Sequence, residues 1–140
     1  MTNNFCKRYL VELKYKMLRF KIQNIYSKSP KILLINNNFN IIGNSTYTII
    51  NSTEASINNI YISSEYRNRE NGSALLQYTE NLLKKRHKIE KSTLLAYEPV
   101  NCNLRNFFQK NGYQISNTNF QTYDDGVATF NLIPMHKFLK

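Results

Sequence analysis

A chain of 140 residues, 41% apolar and 20% charged, is long enough to bury one core and too short for two ordinary domains. Its 19 Lys and Arg against 9 Asp and Glu give +10, which favours an anionic ligand such as a nucleotide, nucleic acid or an anionic lipid headgroup. No run approaches the ~20 apolar residues of a membrane-crossing helix, and no export signal opens the chain. Cys6 and Cys102 have no further Cys or His at ligand spacing, so neither a disulfide framework nor a metal site is indicated. The expectation is one cytoplasmic domain spanning residues 1–140. Asn-x-Ser/Thr triplets at Asn44, Asn51 and Asn71 carry no functional weight without export.

In the first thirty residues Val11, Leu13, Tyr15 and Met17 alternate like a strand, while Leu10, Leu13, Met17, Leu18 and Phe20 also permit a helix; the reading leans to the helix. Ile32 to Ile35 is a short apolar strand that stops at the Asn36 to Asn40 turn, and β-branched Ile41 to Ile50 is its hairpin partner. A third strand runs from about Glu54 to Ile62. From Gly72, residues Leu75, Leu76, Tyr78, Thr79, Leu82 and Leu83 mark one face of a helix that ends near Arg86 and His87, with Glu80 and Lys84 as a surface pair. Ser92 to Tyr97 is a strand broken at Pro99. Leu104, Phe107 and Phe108 belong to a second helix closed by Gly112, and a final hairpin turns at Asp124, Asp125 and Gly126. The pattern is α/β (α+β), a mixed and mainly antiparallel sheet with flanking helices.

The segment with chemical content is Ile60-Tyr-Ile-Ser-Ser-Glu-Tyr-Arg67-Asn-Arg-Glu-Asn-Gly72-Ser73-Ala-Leu-Leu, a strand, a basic polar turn and the start of a helix. A helix N-terminus presents backbone N–H groups that suit a pyrophosphate, and Arg67 and Arg69 add positive charge. This segment resembles the acetyl-CoA-binding motif of the GNAT superfamily, Arg/Gln-x-x-Gly-x-Gly/Ala between a strand and a helix. Further on, Asn101-Cys-Asn-Leu-Arg-Asn-Phe-Phe108-Gln-Lys-Asn-Gly112-Tyr113 is similar to the second family signature, in the family's order and spacing. The resemblance covers residues 31–139 and leaves 1–30 as an abbreviated N-terminal segment. It implies direct attack of an amine on the acetyl thioester. Tyr61 and Ile62 would pair through their backbone with pantetheine, and Arg67, Asn68, Arg69, Glu70, Asn71, Gly72 and Ser73 would cradle the pyrophosphate. Asn101 would approach the pantetheine, and Phe108 would lie beside it.

Two departures matter. Glu70 stands at the motif's first Gly, and Phe108 stands where many members keep the Tyr that protonates the CoA thiolate, a step phenylalanine cannot perform. Tyr97 and Tyr123 are the replacement acid candidates. The family's usual base position falls on Ser56, and Glu54, two residues earlier on the same strand face, is the base candidate. His87 reads as a favourable charge at a helix end, His136 as a surface residue and Asp124 and Asp125 as turn formers.

The leading function is N-acetyltransferase, with acetyl-CoA as co-substrate and a small-molecule or protein amine as acceptor. The charge of +10 favours a neutral or anionic small acceptor, such as an amino sugar or amino acid. A CoA-binding module without turnover is the second reading. A basic nucleic-acid binder using residues 7–28 is ranked last, since no recognised motif supports it. No membrane partner is expected, and both monomer and homodimer remain open.

Overall fold

The computed structural model describes residues 18–67 and 70–140. They carry strands β1 (Arg19–Gln23), β2 (Lys31–Ile35), β3 (Ile41–Ile49), β4 (Glu54–Ile62), β5 (Lys91–Pro99), β6 (Gln114–Ile115), β7 (Gln121–Asp124) and β8 (Thr129–Phe138). Helices α1 (Asn71–His87) and α2 (Leu104–Lys110) and a single 3-10 turn (Ser64–Tyr66) complete the elements. The chain forms two compact units. One takes residues up to Thr48 together with Asn59–Leu82, and the other takes Ile49–Asn58 and Leu83–Lys140.

In the first unit the strands run in the order β1-β2-β3-β4. The continuous apolar run of β2 is explained by burial on both sheet faces, with Ile32, Leu33 and Leu34 all inside. Asn36 organises the hairpin that follows. Its Oδ1 accepts the N–H groups of Asn38 (3.0 Å) and Asn40 (2.9 Å), which lets Phe39 hold a left-handed φ of 63° at the tip. The inner face of α1 buries Leu75, Leu76 and Thr79. The Thr79 hydroxyl donates to the Leu75 carbonyl (2.8 Å) and lies 2.7 Å from Ser45 Oγ, so two buried hydroxyls satisfy one another.

Two expectations change in this unit. Residues 19–23 form a strand, where a helix was expected. Their burial alternates, and Arg19 to Gln23 pair antiparallel with Ile35 to Lys31, so tertiary pairing decides between two sequence periods. The remainder of that expected helix lies outside the described residues. Glu80 is buried, because it shares the inner face with Leu76, Thr79 and Leu83 at helical spacing; only Lys84 of the expected surface pair is exposed. The 3-10 turn after β4 had no sequence signal beyond its polarity.

In the second unit β4 pairs in parallel with β5, from Glu54↔Lys91 to Ser56↔Thr93. Strand β5 pairs antiparallel with β8, and β6 and β7 also pair with β8. Alternation along β5 is strict: Ser92, Leu94, Ala96 and Glu98 are buried. The strand continues through Pro99, longer than expected. Two-residue β6 is too short to show a period. The glycine closing α2 behaves as expected, with Gly112 at φ 94° and the Tyr113 N–H returning to the Phe108 carbonyl (3.0 Å). Asp124 and Asp125 accept backbone N–H groups across the final turn, as expected. His136 is half-buried within β8 and shares an exposed 2.7 Å hydrogen bond with Ser116. Partial burial, helped by Arg86, holds the His87 imidazole below its usual 6.5, which weakens the charge expected at the helix end.

At Gly43 the backbone of β3 comes close to β4. A Cβ there would meet Tyr61 O and Ile62 Cδ1, each at 2.7 Å. Gly43→Ala is expected to destabilise the protein by about 1–3 kcal/mol, read as a lowered denaturation midpoint with an unchanged m-value.

Candidate active site

The strand-to-helix connection at the end of β4 is built by local hydrogen bonds. After Ile62 the chain makes the 3-10 turn, whose start is fixed by the Ser63 N–H on the Ile42 carbonyl (2.8 Å). Tyr66 is held from two sides: Asn36 Nδ2 donates to its hydroxyl (3.2 Å), and Asn71 Nδ2 donates to its carbonyl (2.9 Å). Asn71 is 1% exposed, so the helix begins on a buried side chain that ties it back to the turn. Glu70 holds a left-handed φ of 62°, and its carbonyl accepts the first helical bond, from the Ala74 N–H (3.1 Å). At the family's glycine position the backbone therefore keeps the conformation that glycine adopts easily, and the Glu70 side chain is exposed.

The geometry of Arg67 corrects a simple charge argument. Its Nε donates to the Ile62 carbonyl (2.7 Å), and its guanidinium lies 5.5 Å from the Tyr61 ring centroid. The cation thus folds back over the end of β4 and braces the two residues expected to meet pantetheine. Glu65 and Glu70 are both exposed beside it. The start of α1 presents backbone N–H groups of the kind that suit a phosphate. Gly72 and Ser73 lie in its first turn. Asn68 and Arg69, also expected in the cradle, lie outside the described residues.

The other candidates belong to the second unit. Asn101 is exposed in the turn after β5, where the Cys102 N–H closes on the Pro99 carbonyl (2.8 Å). Phe108 is 8% exposed, edge-on to Phe107 and Tyr113 with centroids 5.1 and 6.0 Å away. The Tyr113 hydroxyl is occupied by Ser92 Oγ at 2.8 Å. Tyr97 pairs with Leu132 and Tyr123 with Phe130, so both tyrosines emerge on one face, diagonally across β8. They are 54% and 50% exposed. Glu54 is at the opposite end, beside Lys91. Six residues of strand, roughly 20 Å, separate it from the level of Tyr97. The structure unites the two tyrosines and leaves Glu54 apart.

One residue of this unit escaped the sequence reading. Glu98, 2% exposed, accepts the Arg105 backbone N–H on Oε2 (3.0 Å) and the Arg105 guanidinium on both oxygens, at 2.8 Å from its terminal nitrogen to Oε1. The Arg105 hydrogen bonds outweigh burial and hold the carboxyl down at about 2, well below its ordinary 4.5. Because the folded value is depressed, the stabilisation is complete above about 4.5 and is lost as pH falls through about 2. The available signal was a carboxylate on the inward phase of an alternating strand, seven residues before an arginine.

Solved structures share this fold at low identity. A GNAT family acetyltransferase from Elizabethkingia anophelis, solved with acetyl-CoA bound, matches with a TM-score of 0.71 and 14% identity over 88% of this chain and 99% of that one. The ribosomal-protein-S18-alanine N-acetyltransferase from Escherichia coli matches with a TM-score of 0.69 and 14% identity over 99% and 91% of the two chains. A spermidine/spermine N-acetyltransferase from Vibrio cholerae, in mutant forms, gives 0.69 and 14% over 81% and 68%. No curated protein matches in sequence. The model of the acetyltransferase (GNAT) domain matches residues 28–115, well over half of the sequence, and the chain therefore belongs to the GNAT acetyltransferase family.

Proposed function

We propose that this chain moves the acetyl group of acetyl-CoA to a primary amine by direct attack. The observation that carries the reading is the turn from Arg67 to Ser73, which keeps a left-handed residue at the family's glycine position and opens onto a helix N-terminus. The amine lone pair attacks the thioester carbonyl carbon, the C–S bond breaks, the nitrogen loses a proton and the thiolate gains one. With Phe108 lacking a hydroxyl, Tyr97 is the proposed acid: it lies on the strand that leads into the Asn101 turn, the segment the family pattern gives to pantetheine. Tyr123, on the same face, is its second. An acid and a base serving one carbon cannot be ~20 Å apart, so the proposal leaves amine deprotonation to solvent rather than to Glu54.

For the acceptor, the net charge of +10 opposes polyamines and lysine-rich tails and favours a neutral or anionic small amine, such as an amino sugar or amino acid. The packing of Phe108 supports a second reading, a CoA-binding module without turnover, because a buried ring edge-on to Tyr113 contributes to the core and offers no proton.

Calorimetric titration with acetyl-CoA is expected to show saturable micromolar binding that Gly72→Trp abolishes by filling the cradle; a folded wild type that binds nothing would sink both readings. Glu70→Gly removes a carboxylate near the phosphates and relieves a left-handed non-glycine residue. It should tighten acetyl-CoA binding by about fivefold while shifting stability by no more than about 1 kcal/mol. On an amine panel, Tyr97→Phe is expected to lower kcat by about 10²-fold, whereas Glu54→Gln leaves kcat/KM within about twofold. Rapid acetylation of spermine with none of amino sugars would contradict the acceptor assignment.

A further inference from the structure

We infer that Glu98 is the positioning residue of the Asn101 turn: from the inner face of β5 it caps α2 and grips Arg105, and so sets where Asn101 is held for acetyl-CoA. This rests on the reading of acetyl-CoA as co-substrate.

The seven-residue α2 cannot hold itself together, since isolated helices that short are unstable in water. Its own N-cap residue, Asn103, has φ −107° and ψ 54° and makes no side-chain capping bond. The missing acceptor comes from β5, where Glu98 Oε2 takes the N–H of the second helical residue, Arg105, at 3.0 Å. The same carboxylate takes the Arg105 fork, and Asn131 Nδ2 on β8 adds a longer bond of 3.4 Å to Oε1. The far side of the guanidinium stacks 5.2 Å from the Phe120 ring centroid.

Between these anchors the chain has little freedom. The Val100 N–H is bonded to the Thr129 carbonyl (3.1 Å), Cys102 to Pro99 (2.8 Å) and Asn106 to Asn103 (3.0 Å). One end of the turn is therefore fixed to β8 and the other to Glu98, with exposed Asn101 between them. An apolar residue at this inward position would serve the core equally well. What the carboxylate adds is a fixed distance between the end of β5 and the first turn of α2.

The test compares Glu98→Gln, Glu98→Ala and Arg105→Lys with Ile133→Val, a core change in the same unit that leaves the turn alone. Acetyl-CoA affinity is read by calorimetry well below each variant's Tm, alongside amide hydrogen exchange over residues 100–106. Glu98→Ala should bind acetyl-CoA at least about tenfold more weakly and lose protection in that segment. Glu98→Gln, which keeps an acceptor for the Arg105 N–H, should recover part of both. Ile133→Val should lower Tm with affinity within about twofold of wild type. If Glu98→Ala does not fold, Glu98→Gln and Arg105→Lys decide the question with the same readouts. Variants that bind as tightly as a binding-competent wild type overturn this inference alone. A wild type that binds no acetyl-CoA overturns the co-substrate reading and this inference with it.

Discussion

The antiparallel ladder between β5 and β8, from Lys91↔Phe138 to Pro99↔Phe130, is the constraint on which the second unit depends. Because side chains alternate across a strand, this register assigns every residue of β5 to one of two environments. Ser92, Leu94, Ala96 and Glu98 go inward, Ser92 bonded to Tyr113 and Glu98 to Arg105 of α2; Leu95 and Tyr97 go outward. A shift of one residue would bury Tyr97 and expose Glu98, exchanging a candidate acid for a clasp.

The first unit is governed by a different requirement, the satisfaction of polar groups where a strand turns into a helix. Asn71 is buried and Tyr66 is braced by two asparagines, one from the β2–β3 hairpin and one from the start of α1. Arg67 is drawn back to the Ile62 carbonyl. One of the two cations that make this turn look basic in sequence is thus committed to the end of β4. Glu70, where the family motif has Gly, keeps a left-handed backbone and adds an exposed carboxylate.

Two carboxylates illustrate how burial sorts residues of one type. Glu54 stands at a strand start, half-exposed and hydrogen-bonded through its own N–H to Asn51 Oδ1. Glu98 is enclosed and charged, which is tolerable only because Arg105 and a backbone N–H meet it. The first was conspicuous in sequence from its place before a family motif, and the second was not, yet the second organises more of the structure.

Sequence alone determined the hairpin around Asn36, the limits of β4, the extent of α1, the glycine stop at Gly112 and the family motif after Ile62. Each is set by local chemistry: turn residues, β-branched runs, helical spacing and left-handed glycine. Only the tertiary structure decided that residues 19–23 join the sheet, that Glu80 faces inward, that Arg67 is committed to β4, and that Glu54 lies beside the start of β5 while Tyr97 lies near its other end. Those outcomes depend on which distant segment supplies a hydrogen-bond partner or covers a face. The same residues satisfy two local patterns equally well until pairing selects one.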